Sequence, residues 1–145
     1  MRLLHKTSEF PVHKSDLVNI YILYIRSLLE QSCQIWHSSL TQEDLESLER
    51  VQKTALKVIL KNDYISYENA LSVTDIETLP ERREELCLHF AKKCTKSSKT
   101  ADMFPLNPVI NERRPHEKCQ MSIANTDRLH DSAIPYMQRL LNANC

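Results

Sequence analysis

Apolar residues recur at helical spacing along most of the first hundred positions. Leu17, Ile20, Tyr21, Tyr24 and Leu28 share one helical face behind Ser15 and Asp16, a plausible N-cap. Val18, Ile22, Ile25 and Leu29 occupy a second face, so the pattern predicts a helix that is apolar most of the way round. Such a helix is expected at the centre of a bundle, buried among its neighbours. Residues 32–40, which include Trp36, His37, Ser38 and Ser39, lose the period and read as a packed connection.

Thr41 opens a second predicted helix, because its hydroxyl can accept from an amide one turn in, while Glu43, Asp44 and Glu46 suit the positive end of the dipole. Leu45, Leu48, Gln52, Ala55, Leu56 and Ile59 form its inner face, and Asn62 and Asp63 are suitable stops. A short helix follows Ser66 with Tyr67, Ala70 and Leu71 inward. Thr78 and Glu81 then spell a capping box, with Pro80 in the first turn, where its missing N–H is harmless. Leu79, Arg83, Leu86, Phe90 and Cys94 trace one face of the fourth helix.

Past Lys99 the character changes. Pro105, Pro108 and Pro115, with Asn107, Asn111, Arg113 and Arg114, predict an extended segment following a surface, with no second core. Residues 134–141 carry enough apolar positions for one short helix with Pro135 in its first turn. The expected fold is all-α: a small bundle of about four helices over residues 1–100, and an extended, poorly structured tail over residues 101–145 that ends in a short helix.

Composition narrows the chemistry. A chain of 145 residues would ordinarily contain roughly ten glycines, and this one has none. Walker-type phosphate loops, dinucleotide-binding turns, serine-hydrolase elbows and EF-hand loops all need glycine where φ is positive or the backbone must approach a ligand. The formal charge is zero, so any attraction to nucleic acid must come from a local patch. Five cysteines, an odd number without C-x-x-C spacing, behind an N-terminus with no signal-peptide run, point to reduced thiols in the cytoplasm or nucleus and not to a secreted protein. The most apolar stretch, residues 17–29, is interrupted by Asn19 and Arg26 and falls short of the roughly 20 residues a membrane span requires.

Cys87, His89, Cys94, His116, Cys119 and His130 are zinc-ligating types, but no tight C-x-x-C pair is present, and buried thiols with surface histidines are the expected account. Glu81, Glu84 and Glu85 lie in the first turns of a helix, where acidic residues are expected without any catalytic role. Cys33 and His37 could be written as a nucleophile and base, yet no oxyanion loop or orienting acid lies nearby in sequence. Lys53, Lys57 and Lys61 fall four apart, and Lys92, Lys93, Lys96 and Lys99 crowd the end of the fourth helix. Such rows can contact phosphates. They can equally pair with Glu49 at i,i+4 and complement a helix C-terminus.

The string from Tyr24 through Leu28, Glu30 and Cys33, followed by Trp36, His37, Ser38, Ser39, Leu40 and Thr41, resembles the region after the palm in reverse transcriptases of non-LTR (LINE-like) retrotransposons. The likeness runs on through Leu48, Glu49, Arg50, Val51, Gln52 and Lys53, then Tyr64, Tyr67 and Leu71, then Leu79, Arg82, Arg83, Leu86, Phe90, Ala91, Lys92 and Lys93. Residues 132–142 are similar to the closing residues of such reading frames. The blocks keep their order and together span nearly the whole chain.

The resemblance implies thumb-side helices and a C-terminal tail, which in that family help hold template and primer. It implies no catalytic residue and no cofactor here, since the family's two Mg2+ ions bind palm carboxylates and this sequence has no adjacent aspartates. Arg50, Lys53, Arg82 and Arg83 match its recurring basic positions and become the candidate contacts to nucleic acid, with pairing of Arg82 and Arg83 to neighbouring glutamates as the structural alternative. Leu29, Trp36, Leu48 and Val51 match positions expected to pack. The expected partners are an RNA/DNA hybrid, the palm domain, or a second copy of the chain docked on the apolar faces of the first helix. A fragment without polymerase activity is the leading expectation; a host-recruited helical module that binds protein or nucleic acid without catalysis is the alternative.

Overall fold

The computed structural model describes Arg2, Leu4, Lys6, residues 12–105 and residues 119–144. His116, Arg113 and Arg114, and most of the expected extended segment, lie outside the described residues. The described residues are mostly helical, as the periodicity predicts, with no strand among them beyond an isolated bridge at Cys119. No described helix is long and apolar enough to cross a membrane.

The chain divides into two units, and the division differs from the expected boundary at residue 100. The first comprises residues 1–31 and 41–82, the second residues 32–40 and 83–145. The supposed connection at 32–40 carries Cys33 and Trp36, whose side chains belong to a second core, and that core is what the sequence reading missed.

In the first unit, α1 (Lys14–Ile20) begins two residues earlier than the sequence suggests: His13 is the N-cap and accepts from the Ser15 amide, which places Ser15 and Asp16 in the first turn. The backbone widens into a π-helical segment, Tyr21–Arg26, and tightens again into α2 (Ser27–Glu30). A π segment carries more residues per turn and so rotates the faces of a helix out of α register. Leu17 and Tyr21 are buried and Ile22 and Ile25 rest against the core, but Leu23, Tyr24 and Leu28 are 67%, 62% and 70% exposed. The helix expected to be apolar most of the way round and buried among its neighbours thus leaves one apolar side facing outward.

The main helix of this unit, α4 (Gln42–Leu60), follows α3 (Cys33–Trp36) of the second unit in chain order. Thr41 caps it in a reciprocal box, its hydroxyl accepting from the Asp44 amide at 3.2 Å and its own amide donating to Asp44 Oδ2 at 3.1 Å. That hydrogen bonding holds the Asp44 carboxyl below its ordinary pKa. Gln52, Ala55, Leu56, Ile59 and Leu60 form the buried stripe, while Leu45 and Leu48 are half-buried. The helix stops at Lys61, which takes φ 49° and leads into a 3-10 turn over Lys61–Asp63. Ser66 caps α5 (Tyr67–Thr74), accepting from the Asn69 amide at 3.1 Å. Asp75 ends that helix in the left-handed region. With no glycine in the chain, Ser32, Lys61 and Asp75 occupy the positive-φ positions that glycine usually fills.

The long helix α6 (Leu79–Lys96) starts from the predicted box, Thr78 accepting from the Glu81 amide at 3.4 Å while its own amide donates to Glu81 Oε2 at 3.3 Å. The division between units falls within it, after Arg82.

The second unit combines α3 (Cys33–Trp36) and a 3-10 turn (His37–Ser39) with the later part of α6, a 3-10 turn (Ala101–Met103), α7 (Asp127–His130) and α8 (Ala133–Ala143). Its core gathers Cys33, Cys87, Ala91, Cys94, Phe104, Cys119, Met137, Leu140 and Leu141. Polar residues on α8 fix the preceding backbone. Gln138 donates to the Met103 carbonyl at 3.0 Å and accepts from the Ser122 amide at 2.8 Å. Asn142 accepts from the Cys119 amide and donates to the Cys119 carbonyl, both at 3.0 Å. The described part of residues 101–145 thus lines a core, which corrects the expectation that no second core forms there, and it ends in the expected short helix, α8. Leu140, Leu141 and Met137 give α8 an apolar stripe that must be covered.

Candidate nucleic-acid interface

The exposed side of α4 changes sign along its length, from Glu43, Asp44 and Glu46 near its start to Arg50, Lys53 and Lys57 in its second half. Positions 50, 53 and 57 are spaced i, i+3 and i+7, which places them on one helical face. Two aromatic rings lie beneath this row: Lys53 Nζ sits 4.9 Å from the centre of the Tyr67 ring and Lys57 Nζ 5.5 Å from that of Tyr64. Each ring face attracts the ammonium above it and limits the lysine's wandering.

Tyr67 is held by a buried polar chain. Its hydroxyl donates to Glu49 and accepts from Gln52 Nε2 at 3.0 Å. The Gln52 amide also donates to the Glu77 carbonyl at 2.8 Å, while its oxygen accepts from the Tyr21 hydroxyl at 2.7 Å. The second oxygen of Glu49 accepts from the Leu79 amide at 3.1 Å, at the start of α6. Glu49, which the sequence offers as an i,i+4 partner for Lys53, is therefore spent inward. Burial and the Glu49 carboxylate raise the Tyr67 phenol far above its ordinary pKa.

The four predicted contacts separate. Arg50 and Lys53 are exposed on the α4 row. Arg82 is half-buried, with Nε 3.7 Å from Glu30 Oε1, the same oxygen that Arg26 Nε approaches at 3.0 Å. Arg26 and Arg82 also line an open cleft of about 530 Å³ together with Asp75, Glu77 and Glu81. Two cations against three carboxylates leave that cleft with one excess negative charge, the wrong sign for phosphate. Arg83 is fully buried in the second unit, its guanidinium 5.4 Å from the centre of the Trp36 ring. It has no exposed surface with which to reach a phosphate, and its assignment as a nucleic-acid contact is corrected to a core residue. Arg82 instead takes the glutamate pairing that the sequence left open.

Lys57 belongs to a lysine row visible in the sequence but is not among the four candidates named there, and Tyr64 and Tyr67 have no role in that candidate set. The i,i+4 spacing of Lys53 and Lys57 was visible; that rings from a loop and from α5 would come under it was not. Lys92, Lys93, Lys96 and Lys99 are exposed at and beyond the C-terminal end of α6, where the dipole favours cations in any case.

Metal chemistry finds little to work with in the described residues. Cys87, Cys94 and Cys119 are buried, His89 and His130 are exposed, and no group of three His, Cys, Asp or Glu residues among those described could hold an ion. Cys33 and His37 both lie in the second unit, where burial and, secondarily, the Arg83 guanidinium lower the pKa of His37 below 6.5. Its ring meets Tyr136 edge-on at 5.9 Å. A neutral His37 in the folded state binds fewer protons than in the unfolded one. The stability it contributes is therefore complete above pH 6.5 and is lost as pH falls through the lowered folded value. Trp36, the single tryptophan, is its neighbour in sequence and reports on this unit. Thermal melts followed by Trp36 emission are expected to fall between pH 7 and pH 5 by less in His37→Gln than in the wild type; parallel curves would remove His37 as the cause.

No known protein family, curated protein or solved structure matches this chain.

Proposed function

We propose that the chain is a non-catalytic helical element that contacts nucleic acid, in the manner of the thumb-side region of a non-LTR reverse transcriptase that its sequence resembles, and that an RNA/DNA hybrid is its ligand. The observation that carries this reading is the α4 row, in which Arg50 is followed by Lys53 and Lys57 held over Tyr67 and Tyr64. Cations spaced along one helix face and pre-positioned on rings can meet successive phosphates with little ordering left to do at binding. The reading is sharper than the four arginines and lysines suggested by sequence, because it keeps Arg50 and Lys53, adds Lys57, and sets aside Arg82 and Arg83.

The test is binding of the purified chain to a labelled RNA/DNA hybrid at low and moderate salt. Arg50→Glu/Lys53→Glu/Lys57→Glu is expected to bind about tenfold or more weaker at low salt, with a shallower salt dependence for each phosphate contact removed. Equal binding by wild type and variant, or binding by the wild type that ignores salt, would overturn the assignment. Nucleotide incorporation by the chain alone would overturn its non-catalytic part.

A second reading rests on a different observation. Leu23, Tyr24 and Leu28 form an outward apolar side on the first helical stretch, which suits a protein-interaction module or association between copies of the chain.

A further inference from the structure

All four described cysteines, Cys33, Cys87, Cys94 and Cys119, are reduced thiols buried in the core of the second unit. Two of them meet. Cys87 Sγ donates to the Cys33 carbonyl oxygen at 3.9 Å, and the Cys33 side chain is close enough to raise the Cys87 pKa. They come from separate elements, Cys33 from the first position of α3 and Cys87 from the middle of α6. The thiol of Cys119, by comparison, contacts the Gln120 carbonyl at 3.7 Å.

The α3 side of this pair is the weaker wall. That helix has four residues, and it is entered through Ser32 at φ 54° without a side-chain cap. A single-turn helix with a left-handed residue at its start has few hydrogen bonds to break, so it belongs among the segments that open at low cost. The neighbouring Cys33 side chain and, after it, burial hold Cys87 protonated while the pair is closed, so the closed pair is slow to react and opening of α3 governs access.

We propose that Cys33 and Cys87 are an oxidisable pair that closes into an intramolecular disulfide in the presence of a two-electron oxidant of the peroxide class. When α3 opens, Cys33 loses its proton to solvent and its thiolate attacks the peroxide, breaking the O–O bond; the sulfenic acid forms and one water leaves. On reclosure the Cys87 thiol, giving up its proton, attacks the sulfenic sulfur, the S–S bond forms and a second water leaves. Two thiols and one hydrogen peroxide thus become one disulfide and two waters. The bridge ties residues 54 apart in sequence and pins α3 to α6, and closing a loop of that length restricts the unfolded chain.

The experiment treats the full chain with hydrogen peroxide under native conditions, blocks remaining thiols, and maps tryptic peptides without reduction. Trypsin cleaves after Arg26, Arg50, Arg83, Lys92 and Lys93, so Cys33, Cys87, Cys94 and Cys119 fall in different peptides. The expected product joins peptide 27–50 to peptide 84–92, weighs two hydrogens less than their sum, and disappears on reduction. Cys94→Ser/Cys119→Ser should still form it, and Cys33→Ser and Cys87→Ser, each checked for wild-type Trp36 emission, should not. The oxidised chain should also melt higher than the reduced one. Bridges through Cys94, Cys119 or Cys145 in place of this one, only intermolecular bridges, or only sulfinic and sulfonic products would each overturn the pairing.

Discussion

Gln52→Leu is expected to destabilise the first unit by about 3 kcal/mol, a large share of the total stability of an ordinary domain. Gln52 is fully buried, and its one amide serves three groups: it accepts from Tyr21 and donates to Tyr67 and the Glu77 carbonyl. Leucine fills much the same volume, so the change is not mainly a cavity. It leaves two hydroxyls and a carbonyl in the core with a partner removed, each at roughly 1–3 kcal/mol, against about 1–2 kcal/mol gained by burying a more apolar side chain. Urea unfolding followed by far-ultraviolet circular dichroism would show the loss as a lower midpoint at unchanged slope. A midpoint equal to wild type would mean that water or rearranged tyrosines satisfy these groups and that the chain from Tyr21 to Leu79 organises nothing. The same variant should loosen Tyr67 under Lys53, so weaker hybrid binding in Gln52→Leu would follow from the proposed interface.

Arg83→Ala is expected to cost the second unit about 3 kcal/mol, through lost packing of the arginine stem and a cavity beside Trp36. Arg83→Met keeps most of the volume and should cost less than half as much, since replacing a buried charge by an apolar chain of similar size is often tolerated. Trp36 gives a direct reading, because the guanidinium stacks on its ring and no other tryptophan contributes. A red-shifted, weaker emission and a lower melting temperature are expected for Arg83→Ala; wild-type emission and stability would contradict the buried position. A functional corollary follows. A variant set that includes Arg83→Glu would confound a binding test by unfolding the second unit, so the α4 row has to be tested without it. Removing the Arg83 charge should also let the His37 pKa rise part of the way back, since Arg83 is the lesser of the two causes that lower it.

Helices were legible in the sequence wherever a cap and a periodic stripe agreed. Thr41 with Asp44, Ser66 before Tyr67, and Thr78 with Glu81 are short-range signals whose partners lie within one turn, so no knowledge of the fold is required to read them. The start of α1 was off by two residues, because His13 rather than Ser15 supplies the acceptor, and histidine is not a usual cap. Residues 32–40 were misread because four residues of helix and three of 3-10 turn are too short to show a period. What makes them structural is the company kept by Cys33 and Trp36, which arrives from residues 83–145. The site divided in the same way: basic positions were visible as a composition of residues, whereas exposure separated Arg50 and Lys53 from Arg83.

The sequence by itself determined that the chain is helical, where five of its helices lie, that glycine-dependent ligand loops cannot be built, and which cations fall on one face of α4. These follow from local chemistry: capping hydroxyls, apolar period and backbone freedom are properties of neighbouring residues. Only the tertiary structure decided that two cores form, that the first helix widens into a π segment and turns Leu23, Tyr24 and Leu28 outward, that Tyr64 and Tyr67 lie under Lys57 and Lys53, and that Arg83 is buried against Trp36. Each of these depends on residues far apart in the chain competing for the same buried volume, and a side chain of given polarity is sent to the core or the surface by what the rest of the molecule leaves open to it.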